Sequence, residues 1–186
     1  MTPTLRTERL LLTPYVPEDE EDFVALFQDA RVSRWMGDGP SSEVEDRALF
    51  GRIFTKVYAR ELFDVWAVRR DGLLVGHAEI KPGGTAGGHE LVYALMPGVW
   101  GRGLGTEVVR AVVAHGFGTL GLTEVHATVA APNGASLALL GRLGFVHVRD
   151  IEEDDGSITR LLTLRRAAAS VPEPAPGPEP AAGRDR

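Results

Sequence analysis

The chain has 186 residues, 44% of them hydrophobic and 25% charged, which suits one domain with a sizeable core. No stretch approaches the roughly 18 consecutive apolar residues of a membrane span, and no basic-then-apolar leader opens the sequence, so no membrane role is expected. Without cysteine there is no disulfide, which fits the cytoplasm, and 26 acidic against 20 basic residues give a net charge of −6 that argues against direct nucleic-acid binding.

Arg9–Tyr15 reads as a first strand. Pro17 then starts a helix, with Glu18, Asp19, Glu20, Glu21 and Asp22 against its dipole and Phe23, Leu26 and Phe27 on its apolar face. The acid run is expected to be a solvated helix start. Val32–Pro40 is irregular and closes on Gly37-Asp38-Gly39-Pro40. Ser41 or Ser42 caps a helix to about Arg60, with Glu45 three residues after Ser42 as in a capping box. Leu62–Arg69 alternates as a strand, Asp71-Gly72 turns the chain, and Leu73–Lys81 returns. The glycines of 83–88 open no helix and read as a hairpin connection. Glu90–Met96 is an apolar strand stopped by Pro97. A helix follows with Leu104, Val108, Val109, Val112, Val113 and Phe117 at helical spacing, ending near Gly116-Phe117-Gly118. Glu124–Val129 is a further strand, and Ala131-Pro132-Asn133-Gly134 turns into a helix through Leu143 that Gly144 ends. Phe145–Arg149 and Ser157–Arg165 are strands around an acidic tip, Glu152-Glu153-Asp154-Asp155-Gly156. From Ala167 the composition is Ala, Pro, Glu and Gly, too poor in apolar surface to fold. The expectation is therefore a single domain over 1–166 and a disordered tail over 167–186.

The most informative stretch is Trp100-Gly101-Arg102-Gly103-Leu104-Gly105-Thr106-Glu107. It lies between a strand and a helix N-terminus, where first-turn amides lack partners and the dipole is positive. Glycines let a ligand's phosphates approach that backbone, and Arg102 adds a cation, so the segment reads as a pyrophosphate site. A dinucleotide fingerprint needs G-x-G-x-x-G; here Gly101, Gly103 and Gly105 give G-x-G-x-G, with Thr106 in the third glycine's place. Glu124 does stand about twenty residues on, so a Rossmann reading is weakened without being removed. A phosphate loop of the Gly-Lys-Ser/Thr type fails, because no lysine lies nearby.

The same segment resembles the acyl-CoA loop of the GNAT superfamily of N-acetyltransferases, usually written Q/R-x-x-G-x-G/A. It is closer still to the RimJ/RimL-type branch, where a tryptophan commonly replaces the leading Gln/Arg. Four other stretches are similar to that branch: Thr7-Glu8-Arg9-Leu10-Leu11-Leu12, Glu90-Leu91-Val92-Tyr93, Asn133 with Ser136 as an Asn-x-x-Ser element, and Leu143-Gly144-Phe145. The resemblance covers residues 4–166. It implies an α/β (α+β) GNAT fold: a central mixed, mostly antiparallel twisted sheet of about seven strands, flanked by about four helices. Strands 90–96 and 124–129 would form a splayed parallel pair. The resemblance also implies acetyl-CoA as co-substrate. Backbone groups near Leu95 and Met96 would hold its pantetheine arm, and Trp100, Gly101, Arg102, Gly103, Leu104, Gly105 and Thr106 its pyrophosphate. Asn133 matches the residue that bonds the arm, and Ser136 the serine proposed to protonate the departing thiolate. A plainer reading has Asn133 cap the helix with Ser136 in its first turn, and both readings can hold. The family's acceptor site is roofed by the segment between the first helices, which makes Trp35, Met36 and Asp38 candidate acceptor contacts. Trp35 and Met36 read equally well as core.

No cysteine acyl-enzyme can form, so transfer is expected to run directly from thioester to acceptor. A lysine amine, pKa roughly 10.4, is almost wholly protonated at pH 7, whereas an α-amine at roughly 7.7–8.0 is about a tenth deprotonated. One carboxylate or one ordered water can therefore serve an α-amine. Glu90 is the first choice for base, against an exposed strand-end carboxylate; Glu79 and His89 are lesser candidates. His77, His115, His126 and His147 read as structural or surface residues, and no His/Asp/Glu cluster has metal-ligand spacing. By resemblance the acidic tip lies near the acceptor mouth, as a solvated hairpin or as a lure for a cationic acceptor. The sequence thus points to a cytoplasmic acetyl-CoA-dependent N-acetyltransferase, monomeric or homodimeric, acting on the α-amine of a protein or peptide of the ribosomal-protein type. A small-molecule amine, such as an antibiotic or an amino-acid conjugate, is the rival acceptor. A non-catalytic acyl-CoA-binding module is the alternative of a different class.

Overall fold

The structure is a computed structural model that describes residues 1–36, 39, 41–83 and 87–167. The opening apolar stretch forms two short strands, β1 (Leu5–Arg6) and β2 (Leu11–Thr13), paired antiparallel. The single strand expected over Arg9–Tyr15 is shorter at both ends: Arg9 is drawn away by the carboxylate of Glu107, and Pro14 has no N–H to give the ladder. Pro17–Asp19 makes one 3-10 turn into α1 (Glu20–Gln28), which buries Phe23, Leu26 and Phe27. Asp19 departs from the solvated helix start expected of it. It is buried, accepts from Val16 N at 2.9 Å, and pairs with Arg69 at 2.6 Å.

A four-residue helix, α2 (Ala30–Ser33), leads to α3 (Glu43–Arg52). Ser42 caps α3 through the capping box read in the sequence: Ser42 Oγ accepts from Glu45 N, and the Glu45 carboxylate accepts from Ser42 N at 2.8 Å. The helix continues as a π-helical stretch, Ile53–Tyr58. β3 (Asp64–Arg70), β4 (Leu73–Pro82) and β5 (His89–Leu95) then run as an antiparallel meander. α4 (Leu104–Gly118) crosses over to β6 (Glu124–Ala130), and α5 (Gly134–Arg142) leads to the hairpin of β7 (Val146–Glu152) and β8 (Ile158–Arg165). Gly144, at φ 90°, ends α5 in the left-handed region.

Among the described residues eight strands lie in one sheet, in the order β1-β2-β3-β4-β5-β6-β8-β7, and only β5 and β6 are parallel. The elements beyond the expected seven strands and four helices are β1 and α2, too short to carry a periodic signal. β3 displays the layering, because alternate side chains leave opposite faces. Val65 and Ala67 pack with α1 and α3, while Trp66 and Val68 pack with the α4 side. Among the described residues no helix is long and apolar enough to cross a membrane. The tail expected over 167–186 lies, after residue 167, outside the described residues.

Candidate active site

β5 is paired along its length with β4, and β6 with β8. Between themselves β5 and β6 pair only at Glu90↔His126. Beyond that bridge each strand already has its partner on the other side, so the two can part. The gap opens into a cleft of about 1350 Å³ lined by both strands, the roof helices, the glycine loop and α5.

Ladder parity decides which backbone groups face the gap. Met96 N donates to Val75 O at 2.8 Å, and Met96 O accepts from Val99 N at 3.1 Å. An antiparallel ladder alternates, so the amide of Leu95 points the other way, into the gap. Of the Leu95 and Met96 pair, Leu95 is the one with an N–H to offer. Its carbonyl accepts from Trp100 Nε1 at 2.7 Å, which braces the loop against the strand.

Gly101 and Gly103 hold φ of 72° and 77°, and Gly103 is the N-cap of α4. Only glycine takes that conformation without cost. Thr106 N and Glu107 N both turn back to Gly103 O, at 3.1 and 3.3 Å. Among the described residues no backbone carbonyl accepts from the amides of residues 101–105. They form a concave run of donors at the positive end of α4, suited to an anion. A Cβ on Gly105 would come within 2.9 Å of Leu139 Cδ1, so that glycine lets α5 close on the start of α4. Leu104 is buried in the core, Thr106 lines the cleft, and the Arg102 side chain is exposed.

Glu107, one turn into α4, receives Thr7 Oγ1 at 2.7 Å, Arg9 N at 3.2 Å and the Arg9 guanidinium as an ion pair. Burial opposes the charged form, but these donors prevail and hold its carboxyl below the usual range. Arg9 Nη1 also donates to Arg102 O at 2.9 Å. The Thr7-Glu8-Arg9 segment therefore supports the loop from behind.

Asn133 Oδ1 accepts from Ser136 N at 3.2 Å, so Asn133 does cap α5. Ser136 Oγ accepts from the Tyr93 hydroxyl at 3.2 Å, and both residues line the cleft. Burial pushes the Tyr93 phenol above its ordinary range, so it stays a proton donor at neutral pH. Glu90 lines the cleft beside the parallel bridge, and its carboxylate accepts from Thr128 Oγ1 and, at 3.3 Å, from Thr128 N. Glu79 lies between His77, 3.0 Å away, and Lys81, 2.8 Å away. Burial raises its carboxyl, but His77 and Lys81 outweigh burial and bring it down to about 2. His77 in turn meets the Tyr15 hydroxyl through Nδ1 at 2.9 Å. Trp35 and Met36 are half-buried and line the cleft, with the Arg34 guanidinium 4.6 Å from the Trp35 ring centroid. Asp38 lies outside the described residues.

A family model for the acetyltransferase (GNAT) domain matches residues 9–146. The chain belongs to the GNAT acetyltransferase family. YoaA of Bacillus subtilis (strain 168), described as an uncharacterized N-acetyltransferase, is 32% identical over 151 residues, covering 78% of this chain and 84% of YoaA. A solved acetyltransferase from Agrobacterium tumefaciens str. C58 superposes with a TM-score of 0.76 at 24% identity, over 89% of this chain and 96% of that one. RimL, a ribosomal alpha-N-protein acetyltransferase solved with coenzyme A, superposes with a TM-score of 0.74 at 13% identity, over 88% and 98%. These two share the fold.

This GNAT acetyltransferase is thus an acyltransferase, and GNAT domains use acetyl-CoA. In the sequence Tyr93 stands out only as a strand residue; the signal for its position is parity, since it shares a face with Leu91 and Leu95. His77, which reads as structural or surface in the sequence, is buried against Tyr15 and also lines the cleft beside Glu79. His115 pairs with Asp64, His126 with Thr163, and His147 with Asp150, all away from the cleft. His89 does not line the cleft, and none of Glu152, Glu153, Asp154 and Asp155 does either. Among the described residues no group of three or more His, Asp or Glu is placed to hold a metal ion.

Proposed function

We propose that this enzyme moves an acetyl group from acetyl-CoA directly to the α-amine of a protein or peptide, in the manner of the RimJ/RimL branch, with residues 1–166 as the catalytic domain. The observation that carries the reading is the lone Glu90↔His126 bridge, which leaves β5 and β6 free to part around a gap faced by the Leu95 amide. The amides of residues 101–105 and the Arg102 side chain hold the pyrophosphate, with Trp100 bracing the loop. Asn133 turns the start of α5 toward the pantetheine arm.

The neutral amine attacks the thioester carbonyl, and Leu95 N–H donates to the oxygen that gains charge. The carbon–sulfur bond breaks, and the thiolate takes the Ser136 hydroxyl proton, which Tyr93 replaces from its own hydroxyl. Glu90 takes the proton that the amine loses. Glu79, held at about 2, is too weak a base for that step.

A thermal-shift assay with acetyl-CoA, NAD and ATP side by side tests the cofactor assignment. Acetyl-CoA at a hundredfold over its Kd should add about 2.7 kcal/mol. For a chain of this size that is a rise of roughly 5–11 °C. A rise with NAD in place of acetyl-CoA would overturn the assignment. Turnover is then read by thiol release, to which the protein adds no background because it has no cysteine. Ser136→Ala should lower kcat roughly a hundredfold while barely moving the acetyl-CoA KM. Adding Tyr93→Phe to it should cost little more, because the two hydroxyls act as one unit. Unchanged kcat in Ser136→Ala removes the acid role.

A further inference from the structure

Besides Arg142 on α5, the cleft is lined by the cations Arg34, Arg52, Lys56 and Lys81 and, among the described residues, by the carboxylates Asp46, Glu79 and Glu90. Every carboxylate is engaged. Asp46 is buried and accepts from Gln28 Nε2 at 2.6 Å and from the Ser41 hydroxyl. Glu79 is shared between His77 and Lys81, and Glu90 is held by Thr128. Lys81 is paired with Glu79, but among the described residues Arg34, Arg52 and Lys56 meet no carboxylate in the cleft. Arg34 lies over the Trp35 ring, and among the described residues Arg52 and Lys56 have no ion-pair partner. Their placement follows from the helix. The wider π-helical turn starts directly after Arg52 and brings Arg52 and Lys56 to the cleft together with Ile53 and Val57. Arg34, Arg52 and Lys56 are thus three described cleft cations without a carboxylate partner, in a chain of net charge −6.

We infer that the acceptor bears an anionic group beside its amine: a peptide N-terminus with Asp or Glu side chains in the residues just after the first. This rests on the α-amine reading above and narrows it. The α-amine enters toward Glu90, and the acidic side chains meet Arg52 and Lys56, which are exposed at the rim where the peptide must continue outward. The same cations disfavour an ammonium and so favour the neutral, reactive amine. The acidic tip at Glu152–Asp155 does not line the cleft, so it offers no counter-charge there.

The test uses the full chain loaded with CoA, calorimetric titration, and two peptides that differ only in Asp/Glu against Asn/Gln after the first residue. The acidic peptide should bind about tenfold more tightly at low salt. The advantage should shrink as salt rises and vanish in the Arg52→Gln/Lys56→Gln double variant, whose thermal shift with acetyl-CoA stays that of the parent. Equal binding of the two peptides overturns the inference, as does an advantage that survives the double variant. Tighter binding of a small acidic amine than of either peptide overturns it too. If the acidic peptide binds preferentially but releases no thiol, the reaction proposed above falls and the recognition inferred here stands.

Discussion

Gly76→Ala should lower both the melting temperature and kcat, through one added methyl group. A Cβ at that position would lie 2.4 Å from Ala94 O, 2.5 Å from Leu95 Cδ2 and 3.3 Å from Leu95 Cα. Two of the three obstacles are backbone atoms, so no side-chain rotation relieves them. The strand next door cannot simply slide, because Met96 N is fixed to Val75 O one residue away. Relief must come from moving Ala94 and Leu95, the residues that aim the Leu95 amide at the gap. Overpacking of this kind typically costs about 1–3 kcal/mol. That corresponds to a fall of roughly 2–12 °C in Tm for a domain of this size. A misplaced oxyanion donor should reduce kcat by roughly a hundredfold. Scanning calorimetry and thiol release check the two parts separately. A Tm and kcat both equal to the parent's would show that β4 and β5 do not approach as closely as described.

Arg69→Met should be strongly destabilising although it lies outside the cleft. Arg69 donates to Thr13 Oγ1 at 2.9 Å and pairs with Asp19 at 2.6 Å, with side-chain exposures of 18% and 6% for the pair. Removing the cation leaves a buried carboxylate without its counter-charge, a loss of about 3–5 kcal/mol. The fall in Tm should be roughly 6–20 °C. Adding Asp19→Ala should restore part of it, because the double variant buries no lone charge. A double variant less stable than Arg69→Met would refute the ion-pair account. The shift with acetyl-CoA should persist in both, since neither residue lines the cleft.

Much of the fold is legible in the sequence where a local rule dictates it. The Ser42–Glu45 capping box, the Asp71-Gly72 turn and the Gly144 C-cap all require particular residues at particular backbone angles. The glycine loop is legible for the same reason, since Gly101 and Gly103 occupy left-handed φ. What stays hidden depends on distant partners. Asp19 looks like one more acid in a helix start until Arg69, 50 residues on, closes over it. Tyr93 and Ser136 are 43 residues apart, and no spacing rule pairs them. The choice of the Leu95 amide over that of Met96 depends on ladder parity, which only the register with β4 fixes. His77 has an ordinary place in an apolar strand, and its cleft position follows from the packing of α1 and Tyr15 around it.

The tie from Thr7 and Arg9 to Glu107 has a consequence in time. Its partners are 100 and 98 residues apart in the chain, so during synthesis the first must wait for the last. β2 waits as well, since among the described residues it pairs with β1 and with the later β3 alone. Closing a loop of that length sets back the ordering of everything it encloses. The loop from Trp100 to Thr106 therefore gains its backing from Thr7 and Arg9 only after Glu107 is made, when more than half of the chain has been synthesised.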